Sequence, residues 1–544
     1  MKATKKKIVA LMTVAVMAAA LLMSAVSLMP KPAFAETTAD FATPAGYNDN
    51  DYQKLVVFME TVNSSGVKNG EAINPGVYTP EDPATWLYSV EYPWGTTSYG
   101  AYWEEIDGEM HFVALDNGFS CRLEGNIDFS ECEYLGSVFL SGCDIPSANF
   151  SFCIGLNAVH IAYANLESIN VSCCYNMVQL DAFGNNLNSD GSVGLADCGA
   201  MEVLNVSDNP EIEDLDISAF DLQLRILNVN NTGIGDDDID FTRLRSVNEI
   251  NITGTNITRV DMRNSECITA LTCRDLPLEY LKLPTCDSNL QIDCANTGIT
   301  ELDVTGCTGL YQLNCSNNPI RELDFTNCPW MQFVIANDCE LETLNLAGCD
   351  KLIAVECMNN NLTEIDVSAA CELAQFYCTG NMLTNIFWHV NNEWDGEYIV
   401  SLESEGNGYV AVGFEVDPET WGAINFFEAV PQEGYRFVNW VDNDGNEIST
   451  DPRYEYEPRN AYEMIAVFVP DGSEPVVTEE PTEPVVTDEP TEPVVTDEPT
   501  EPIVTDEPTE PITPDVPATG AVSLSVLGVA AILAGGIAVS KRKH

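Results

Sequence analysis

The most regular feature of the sequence is an alternation of apolar and polar positions that repeats every 21 residues between Leu271 and Phe376. In each copy, an apolar residue and a small residue two places later are flanked by polar residues, which is typical of a short strand with one buried face. The two columns are Leu271, Ile292, Leu313, Val334, Val355 and Phe376, and Cys273, Cys294, Cys315, Ala336, Cys357 and Cys378. A unit this short cannot cover its own apolar face, so the fixed period predicts stacked coils in a solenoid.

Each predicted strand is followed by a turn and a second apolar segment. In one copy the turn is Asn317-Asn318-Pro319, and Ile320, Leu323 and Phe325 then point inward again. The position of Asn318 is Asn in two further copies and Thr or Cys in two others: Asn360, Asn381, Thr297 and Cys339. We expect the amide at this position to bridge adjacent coils from inside the turn.

The columns together resemble the bacterial leucine-rich repeat that reads L-x-x-L-x-C-x-x-N-x-L-x-x-L-D-V-S. The resemblance implies an α/β-type solenoid, mostly strand and coil, over residues 113–392, with a parallel sheet on the concave side of a horseshoe. Twelve coils fit, with central residues Val138, Val159, Leu180, Leu204, Leu227, Ile250, Leu271, Ile292, Leu313, Val334, Val355 and Phe376. Family ligands usually occupy the concavity.

Residues 36–112 lack this period and are interpreted as an N-terminal cap, because an open first coil would expose apolar area. Asn48 and the acidic residues after it begin a predicted capped amphipathic helix, whose apolar positions are spaced by three and four: Leu55, Val56, Phe58, Met59 and Val62. Aromatic residues follow, namely Tyr92, Trp94, Tyr99, Tyr102 and Trp103. They favour a small core, with a carbohydrate-binding patch as the alternative.

The 19 cysteines lie between Cys121 and Cys378. The N-terminal residues predict export, as described below, and cysteines of an exported chain would ordinarily form disulfides. However, many cysteines lie in columns, and stacked residues about 4.8 Å apart with parallel Cβ vectors are poorly placed to bridge. A second column is Cys286, Cys307, Cys328 and Cys349. We therefore predict that most thiols are free, buried and act as small apolar fillers. No CxxC pair or histidine cluster indicates zinc, and no metal or cofactor is predicted.

The outward residues between the apolar columns form the candidate ligand-binding surface. Exposed apolar and aromatic side chains on a rigid sheet suggest a protein-binding patch, although a C-terminal cap that folds over them is an equal alternative. The predicted residues are Phe333, Ile335, Asn337, Glu356, Met358, Gln375 and Tyr377, with Asn314 and Arg274 earlier on the same face. Phe139 and Phe183 also lie on this face.

Two acidic stretches could be mistaken for calcium loops. The run of Asp236, Asp237 and Asp238 falls in one of the longer coils and favours a solvated loop. The stretch from Asp442 to Glu447 has its glycine too early for such a loop, and a hairpin turn is the preferred interpretation.

Residues 393–470 are predicted to form a separate β-rich domain. The elements G-Y-x-F-x-x-W and A-V-F resemble the β-rich repeat beside leucine-rich repeats in internalin-like surface proteins. They are carried by Gly434, Tyr435, Phe437, Trp440, Ala466, Val467 and Phe468. The resemblance implies a spacer or partner-binding module without chemistry.

Both ends of the chain carry targeting patterns. Residues 1–35 form a predicted signal peptide cleaved between Ala35 and Glu36, with a retained membrane anchor as the alternative. Residues 471–515 repeat Pro, Glu, Thr and Val every nine positions, which favours an extended stalk.

An apolar stretch over 521–539 and a positive tail over 540–544 predict a transmembrane helix, preceded at 516–520 by Val516, Pro517, Ala518, Thr519 and Gly520. Together these resemble the sorting signal of Gram-positive wall proteins, an LPxTG-like motif with Val in place of Leu. The resemblance implies that a sortase cuts between Thr and Gly and joins the chain to peptidoglycan. A plain membrane tether is the alternative.

Charge narrows the function. The chain has 85 acidic and 23 basic residues, a formal net charge of -62, which excludes nucleic acid as a partner. No nucleophile elbow, HExxH helix or phosphate-binding glycine loop is present, so an enzyme is not predicted. We expect a wall-anchored surface protein that mediates adhesion by binding an extracellular protein or glycan, and that meets the membrane only through its C-terminal segment before sorting. A passive spacer and a hydrolase with a site in the cap or β-rich domain are the alternatives.

Overall fold

The computed structural model describes residues 41–92, 95–118, 122–188, 193–287, 289–370, 372–392, 396–416, 423–456 and 463–472. The predicted signal peptide, sorting motif and C-terminal apolar segment, and the predicted stalk after residue 472, lie outside these residues. Among the described helices, none has both the length and the apolar character to cross a membrane.

Short strands dominate the structure. The helices are α1 (Asp49–Glu60) and α2 (Asn69–Ile73), with the 3-10 helices η1 (Pro83–Trp86) and η2 (Phe241–Arg243). The cap and first six coils contain β1 (Leu87–Tyr92), β2 (Gly95–Ile106), β3 (Glu109–Asp116), β4 (Ile127–Asp128), β5 (Ser137–Phe139), β6 (Ser147–Asn149), β7 (Ala158–His160), β8 (Ser168–Asn170), β9 (Gln179–Asp181), β10 (Val193–Gly194), β11 (Val203–Asn205), β12 (Ile226–Asn228) and β13 (Glu249–Asn251). The later coils contain β14 (Arg259–Asp261), β15 (Ala270–Thr272), β16 (Tyr280–Lys282), β17 (Leu290–Asp293), β18 (Leu310–Asn314), β19 (Glu322–Asp324), β20 (Phe333–Ile335), β21 (Thr343–Asn345), β22 (Ala354–Glu356), β23 (Glu364–Val367) and β24 (Gln375–Tyr377). The C-terminal strands are β25 (Asn385–Asn392), β26 (Gly396–Glu405), β27 (Gly408–Val416), β28 (Ala423–Pro431), β29 (Tyr435–Val441), β30 (Glu447–Ser449), β31 (Arg453–Tyr456) and β32 (Glu463–Pro470).

One 15-stranded sheet runs along the solenoid in the order β1-β2-β3-β5-β7-β9-β11-β12-β13-β15-β17-β18-β20-β22-β24. The hairpin strands β1 to β3 are antiparallel, and β3 then pairs parallel with β5, with Leu115 opposite Val138. The strand β3 therefore adds a turn to the twelve predicted coils, giving about 13 turns. The predicted solenoid of strand and coil is confirmed.

The core of the solenoid is built from the predicted central column. Eleven of its twelve members are no more than 2 % exposed, and Phe376 is partly buried. Burying such a side chain stabilises the fold by about 1.5–3 kcal/mol, but only when the neighbouring coil covers it. The stabilisation that the central column provides therefore depends on the register between adjacent coils.

Every coil has a left-handed residue four positions after its central residue. Eleven of these twelve residues are Gly, Asn or Asp, the types that tolerate a positive φ, and the exception is Tyr163 with φ 52°. The column is Gly142, Tyr163, Gly184, Asp208, Asn231, Gly254, Asp275, Asn296, Asn317, Asp338, Asn359 and Gly380. This conformation turns the chain inward, so the next residue of each coil lies inside.

Where that next residue is Asn, its side chain forms the predicted amide bridge. Asn318 is 2 % exposed, and its Oδ1 accepts from the backbone N–H of Thr297 and Gly298 at 3.0 and 2.8 Å. Its Nδ2 donates to the carbonyl oxygens of Cys294 and Cys315 at 2.9 and 2.8 Å. One side chain thus satisfies backbone groups of two adjacent coils, which confirms the prediction.

The structure buries all of the 17 cysteines that it describes except Cys267, as predicted for most of them. The second column, whose members lie six positions before a central residue, continues earlier in the chain with Ser265 and Cys153, and it does more than fill space. Cys153 Sγ donates to the Phe129 carbonyl of the preceding coil at 2.9 Å, and the Ser265 hydroxyl bonds Leu244 in the same way at 2.7 Å. Burial raises the pKa of Cys153 to about 12, so the thiol keeps the proton that it donates.

The predicted cap helix is present as α1. Asn48 Oδ1 accepts from Asp51 N–H at 3.2 Å at its start, and Val62 lies beyond its end and is 57 % exposed. The carboxylate of Asp51 is 2 % exposed and accepts from Phe112 N–H at 3.1 Å while contacting His111 Nδ1 at 3.0 Å. This buried cluster joins α1 to β3, the first strand in register with the coils.

Aromatic rings fill the cap. Trp103 packs with Tyr47, Trp86 and Phe112 at ring-centroid distances of 5.0, 6.0 and 5.9 Å. Tyr99 packs on Tyr88 at 5.1 Å. Trp94 and the side chain of Tyr92 lie outside the described part of the chain. The contacts of Trp103 are those of a small core.

The C-terminal strands are joined to the last coils. The strand β25 pairs parallel with β23 of the solenoid and antiparallel with β26, within a six-stranded sheet. Two further hydrogen bonds link the last coil to β27. Thr379 Oγ1 donates to the Val412 carbonyl oxygen, and Val410 N–H donates to the Leu383 carbonyl oxygen at 2.8 Å. The β-rich segment therefore shares a sheet with the solenoid.

Candidate binding face

The candidate site is the outward surface of the long sheet, here called the sheet face: the side chains flanking the central residue of each coil. At the C-terminal end, β18, β20, β22 and β24 pair in register. The outward column on one side of the central residues is Asn314, Ile335, Glu356 and Tyr377, and on the other it is Gln312, Phe333, Ala354 and Gln375. Register alone therefore brings residues from four coils together.

The structure places eight of the nine predicted site residues on these adjacent coils. Their side chains remain accessible, with Gln375 exposed and the others half-buried. Arg274 lies apart, two coils before Asn314, and is exposed. The C-terminal strands meet the last coil at Thr379 and Leu383, beyond this set.

Two of the predicted polar residues are held by local hydrogen bonds. Asn337 donates to Glu356 Oε2 at 3.1 Å and accepts from Met358 N–H at 2.8 Å. Asn314 Oδ1 accepts from Ser316 N–H at 3.2 Å. These amides are already hydrogen-bonded within the protein. The apolar contact area of the surface is supplied by Phe333, Ile335, Met358 and Tyr377.

The middle of the sheet face is polar for a structural reason. Asn205, Asn228 and Asn251 each accept, through Oδ1, from the N–H two residues later, at 3.3, 3.5 and 3.1 Å. Such a bond stabilises the turn that follows the strand. The asparagine column is therefore a feature of the repeat and not evidence of a ligand.

Arg274 is paired within the sheet face. Its guanidinium lies 3.4 Å from Asp275 and 3.6 Å from Asp293. Burial raises the pKa of Asp293, and the nearby Arg274 opposes this shift by favouring the charged carboxylate. Arg274 thus neutralises a local excess of acid.

The N-terminal part of the sheet face contains a cluster that the sequence prediction did not assemble. The rings of Phe139 and His160 stack at 4.8 Å with an interplanar angle of 7°, and His160 Nδ1 lies 3.5 Å from Asp181 Oδ2. Tyr163 and Phe183 meet edge to face at 4.8 Å. Phe139 and Phe183 were placed on this face from sequence. The sequence feature that could have indicated the remaining residues is Tyr163, which occupies a position where the other coils have Gly, Asn or Asp.

In both acidic stretches, carboxylates accept hydrogen bonds from backbone N–H groups. Asp236 accepts from the N–H groups of Thr258 and Arg259 at 2.7 and 3.0 Å, and Asp238 accepts from Gly235 at 2.7 Å. Asp442 accepts from Asp444 and Asn446 in the predicted hairpin turn between β29 and β30. In the parts of the chain that the structure describes, no group of three or more His, Cys, Asp or Glu residues could hold a metal.

The in-register strands, the left-handed turn column and the buried amides form a solenoid whose fold fits that of leucine-rich repeat proteins. Two solved leucine-rich repeat structures that resemble it are the functional domain of InlJ from Listeria monocytogenes, which includes a cysteine ladder, and the effector protein YopM from Yersinia pestis. InlJ is 16 % identical, with 68 % of this chain and 94 % of that chain covered and a TM-score of 0.39. YopM is 15 % identical, with 50 % and 76 % covered and a TM-score of 0.37. No family model and no curated protein matches the chain.

Proposed function

We propose that this protein is a wall-anchored surface protein of a Gram-positive bacterium that binds an extracellular protein or glycan through the sheet face of its solenoid. One observation carries the binding proposal: Phe333, Ile335, Met358 and Tyr377 lie on three adjacent coils with partly accessible side chains. Accessible apolar and aromatic residues on a rigid surface are typical of interaction sites.

The rigidity of this surface supports the proposal. The strands β20, β22 and β24 pair in register, and the amides of Asn360 and Asn381 fix the turns behind them from the interior. A surface that is already ordered loses little conformational entropy when a partner binds. Binding of this kind needs shape and breaks no covalent bond, so the proposal includes no enzymatic activity.

The location rests on sequence patterns. A signal peptide ending at Ala35 would export the chain, and a sortase that cuts between Thr519 and Gly520 would join it to peptidoglycan. The repeat over residues 471–515 would then hold the solenoid away from the wall as an extended stalk.

Serine substitution of the apolar set tests the binding proposal. We expect full-length protein with Phe333, Ile335, Met358 and Tyr377 changed to serine to retain about tenfold less partner from host surface extracts and to support weaker adherence, because central apolar residues dominate binding energy. Quantitative pull-down and a cell-adherence assay measure this.

A matched variant controls for the general loss of exposed apolar area. Its four serines replace side chains that are 39–55 % exposed elsewhere: Val77, Leu222, Trp330 and Ile448. We expect this control to bind as the unmodified protein does. Undiminished binding by the sheet-face variant, with an unchanged melting temperature, would remove the proposed site.

A further inference from the structure

The N-terminal part of the sheet face carries a second candidate site, the aromatic strip, defined as Phe139, His160, Tyr163 and Phe183. Phe139, His160 and Asp181 occupy one register column on three adjacent strands, with Asp116 of β3 preceding them. Tyr163 and Phe183 lie at the ends of the same coils, where the chain turns inward. The strip is therefore continuous across three coils and has a carboxylate on either side of its stacked pair.

Tyr163 has an unusual backbone conformation. It is the one member of the left-handed column that is not Gly, Asn or Asp, and its side chain nevertheless remains 62 % exposed. A large residue with a positive φ is disfavoured, and such residues concentrate where function requires them. Burial cannot be the reason for this tyrosine, because most of its surface faces solvent.

The next coil is shaped to receive the Tyr163 ring. Gly184 has φ 67°, and a Cβ added there would lie 2.4 Å from Cε1 of Tyr163, so only glycine leaves room. Phe183 supports the ring edge to face at 4.8 Å. The ring thus rests against Gly184 and Phe183, and its remaining surface is open.

The polar groups around the strip are acidic. Asp181 accepts from Asn205 Nδ2 at 2.9 Å and lies beside His160, so its carboxylate is fixed in place. Asp208 is exposed in the left-handed column one coil beyond Gly184. Among the described outward positions of the six coils from Val138 to Ile250, none is Lys or Arg. Arg225, at the edge of this region, is paired with Glu202 at 2.9 Å.

We propose that the aromatic strip binds Lys or Arg side chains of a basic polypeptide segment. A cation is attracted to an aromatic ring and to a fixed carboxylate together, and the net charge of -62 would speed the encounter. A glycan fits less well because its neutral hydroxyl groups cannot form the charge-assisted hydrogen bond that a Lys or Arg side chain forms with a fixed carboxylate, and the Asn205 amide is already bonded to Ser207 and Asp181. The inference rests on the proposed function and names the chemistry of the partner at this part of the sheet face.

Peptide binding by the full-length protein tests the inference. The probes are a fluorescent Arg/Gly peptide, a Glu/Gly peptide of equal length and a chitin oligosaccharide. We expect Tyr163→Asn and Asp181→Asn each to weaken Arg/Gly peptide binding by about tenfold. Asn occupies the position of Tyr163 in four other coils, so Tyr163→Asn should keep or raise the melting temperature while binding falls.

Two matched variants separate a specific site from general attraction to an acidic protein. Tyr175→Asn changes a tyrosine that is 55 % exposed in the loop after β8, and Asp237→Asn removes an exposed carboxylate far along the chain. Both should bind the Arg/Gly peptide as the unmodified protein does. Equal losses in all four variants, no loss in any, or oligosaccharide binding that falls with Tyr163→Asn would overturn the inference.

The serine variant of Phe333, Ile335, Met358 and Tyr377 distinguishes this inference from the proposed function. It should retain Arg/Gly peptide binding, because its changes lie several coils from the aromatic strip. If it loses the natural partner while Tyr163→Asn and Asp181→Asn keep both partner and peptide, the proposed function stands and the strip inference fails. If all these variants keep partner and peptide, both fail.

Discussion

Replacing Asn318 by alanine is expected to lower the free energy of unfolding by about 3 kcal/mol or more, although the side chain is far from any candidate ligand. Its amide serves two N–H groups and two carbonyl oxygens, and leaving a buried polar group unsatisfied costs about 1–3 kcal/mol. Because these groups belong to adjacent coils, the loss falls on the interface that holds a solenoid together. Denaturant unfolding followed by circular dichroism measures the change.

Asn327→Ala is the matched control, since Asn327 is an exposed asparagine in the following coil. We expect its unfolding curve to overlay that of the unmodified protein to within about 0.5 kcal/mol. If the two alanine variants were equally stable, the buried amide could not be the bridge between coils.

Replacing Phe129 by alanine is expected to cost about 3–5 kcal/mol and to loosen the N-terminal cap. Phe129 is fully buried. Its ring packs against Phe58 of α1, Phe112 of β3 and Phe150 of the next coil, at ring-centroid distances of 5.8, 5.2 and 6.1 Å. The cavity would open where the cap and the solenoid meet. Relative to the unmodified protein, amide hydrogen exchange should therefore become faster in α1 and change little in the later coils. Thermal unfolding and hydrogen exchange of α1 measure the two effects.

Phe152→Ala provides the comparison, because Phe152 is 38 % exposed in the loop after β6. It removes the same side chain without opening a core cavity, and α1 exchange should stay unchanged. A cap that remained equally protected in Phe129→Ala would contradict the view that these rings join it to the first coil.

The repeat could be predicted because several columns keep the same phase. The additional turn formed by β3 was not predicted, because β3 belongs to a hairpin with β2 and because the sequence has Phe119, and not Gly, Asn or Asp, four positions after Leu115. Burial of the cysteine column could be predicted for a related reason, because these small residues alternate with polar positions, as the buried face of a strand does. That Cys153 also donates to a carbonyl was not predictable from spacing, because the acceptor belongs to a different coil.

The candidate site was harder to predict than the fold. Alternation identifies which side chains point outward, and the structure places Phe333, Ile335 and Tyr377 accordingly. The alternation does not reveal which polar side chains are already hydrogen-bonded within the protein, as those of Asn314 and Asn337 are. Within the aromatic strip, the sequence places Phe139 and Phe183 on the sheet face, but Tyr163 stands out only once the left-handed column is known, and the stacking of His160 on Phe139 depends on the register between coils.

The central claim is that identical coils stack in register along one parallel sheet, and residue-resolved hydrogen exchange of the full-length protein tests it most directly. The amides of Cys273, Cys294, Cys315, Ala336 and Cys357 each donate to the next coil, at 2.7 to 2.9 Å. We therefore predict slow exchange recurring at these positions every 21 residues, with faster exchange in the exposed turns between them. Protection in long uninterrupted blocks, or with no recurrence at this period, would contradict the stacked coils and the surface that they form.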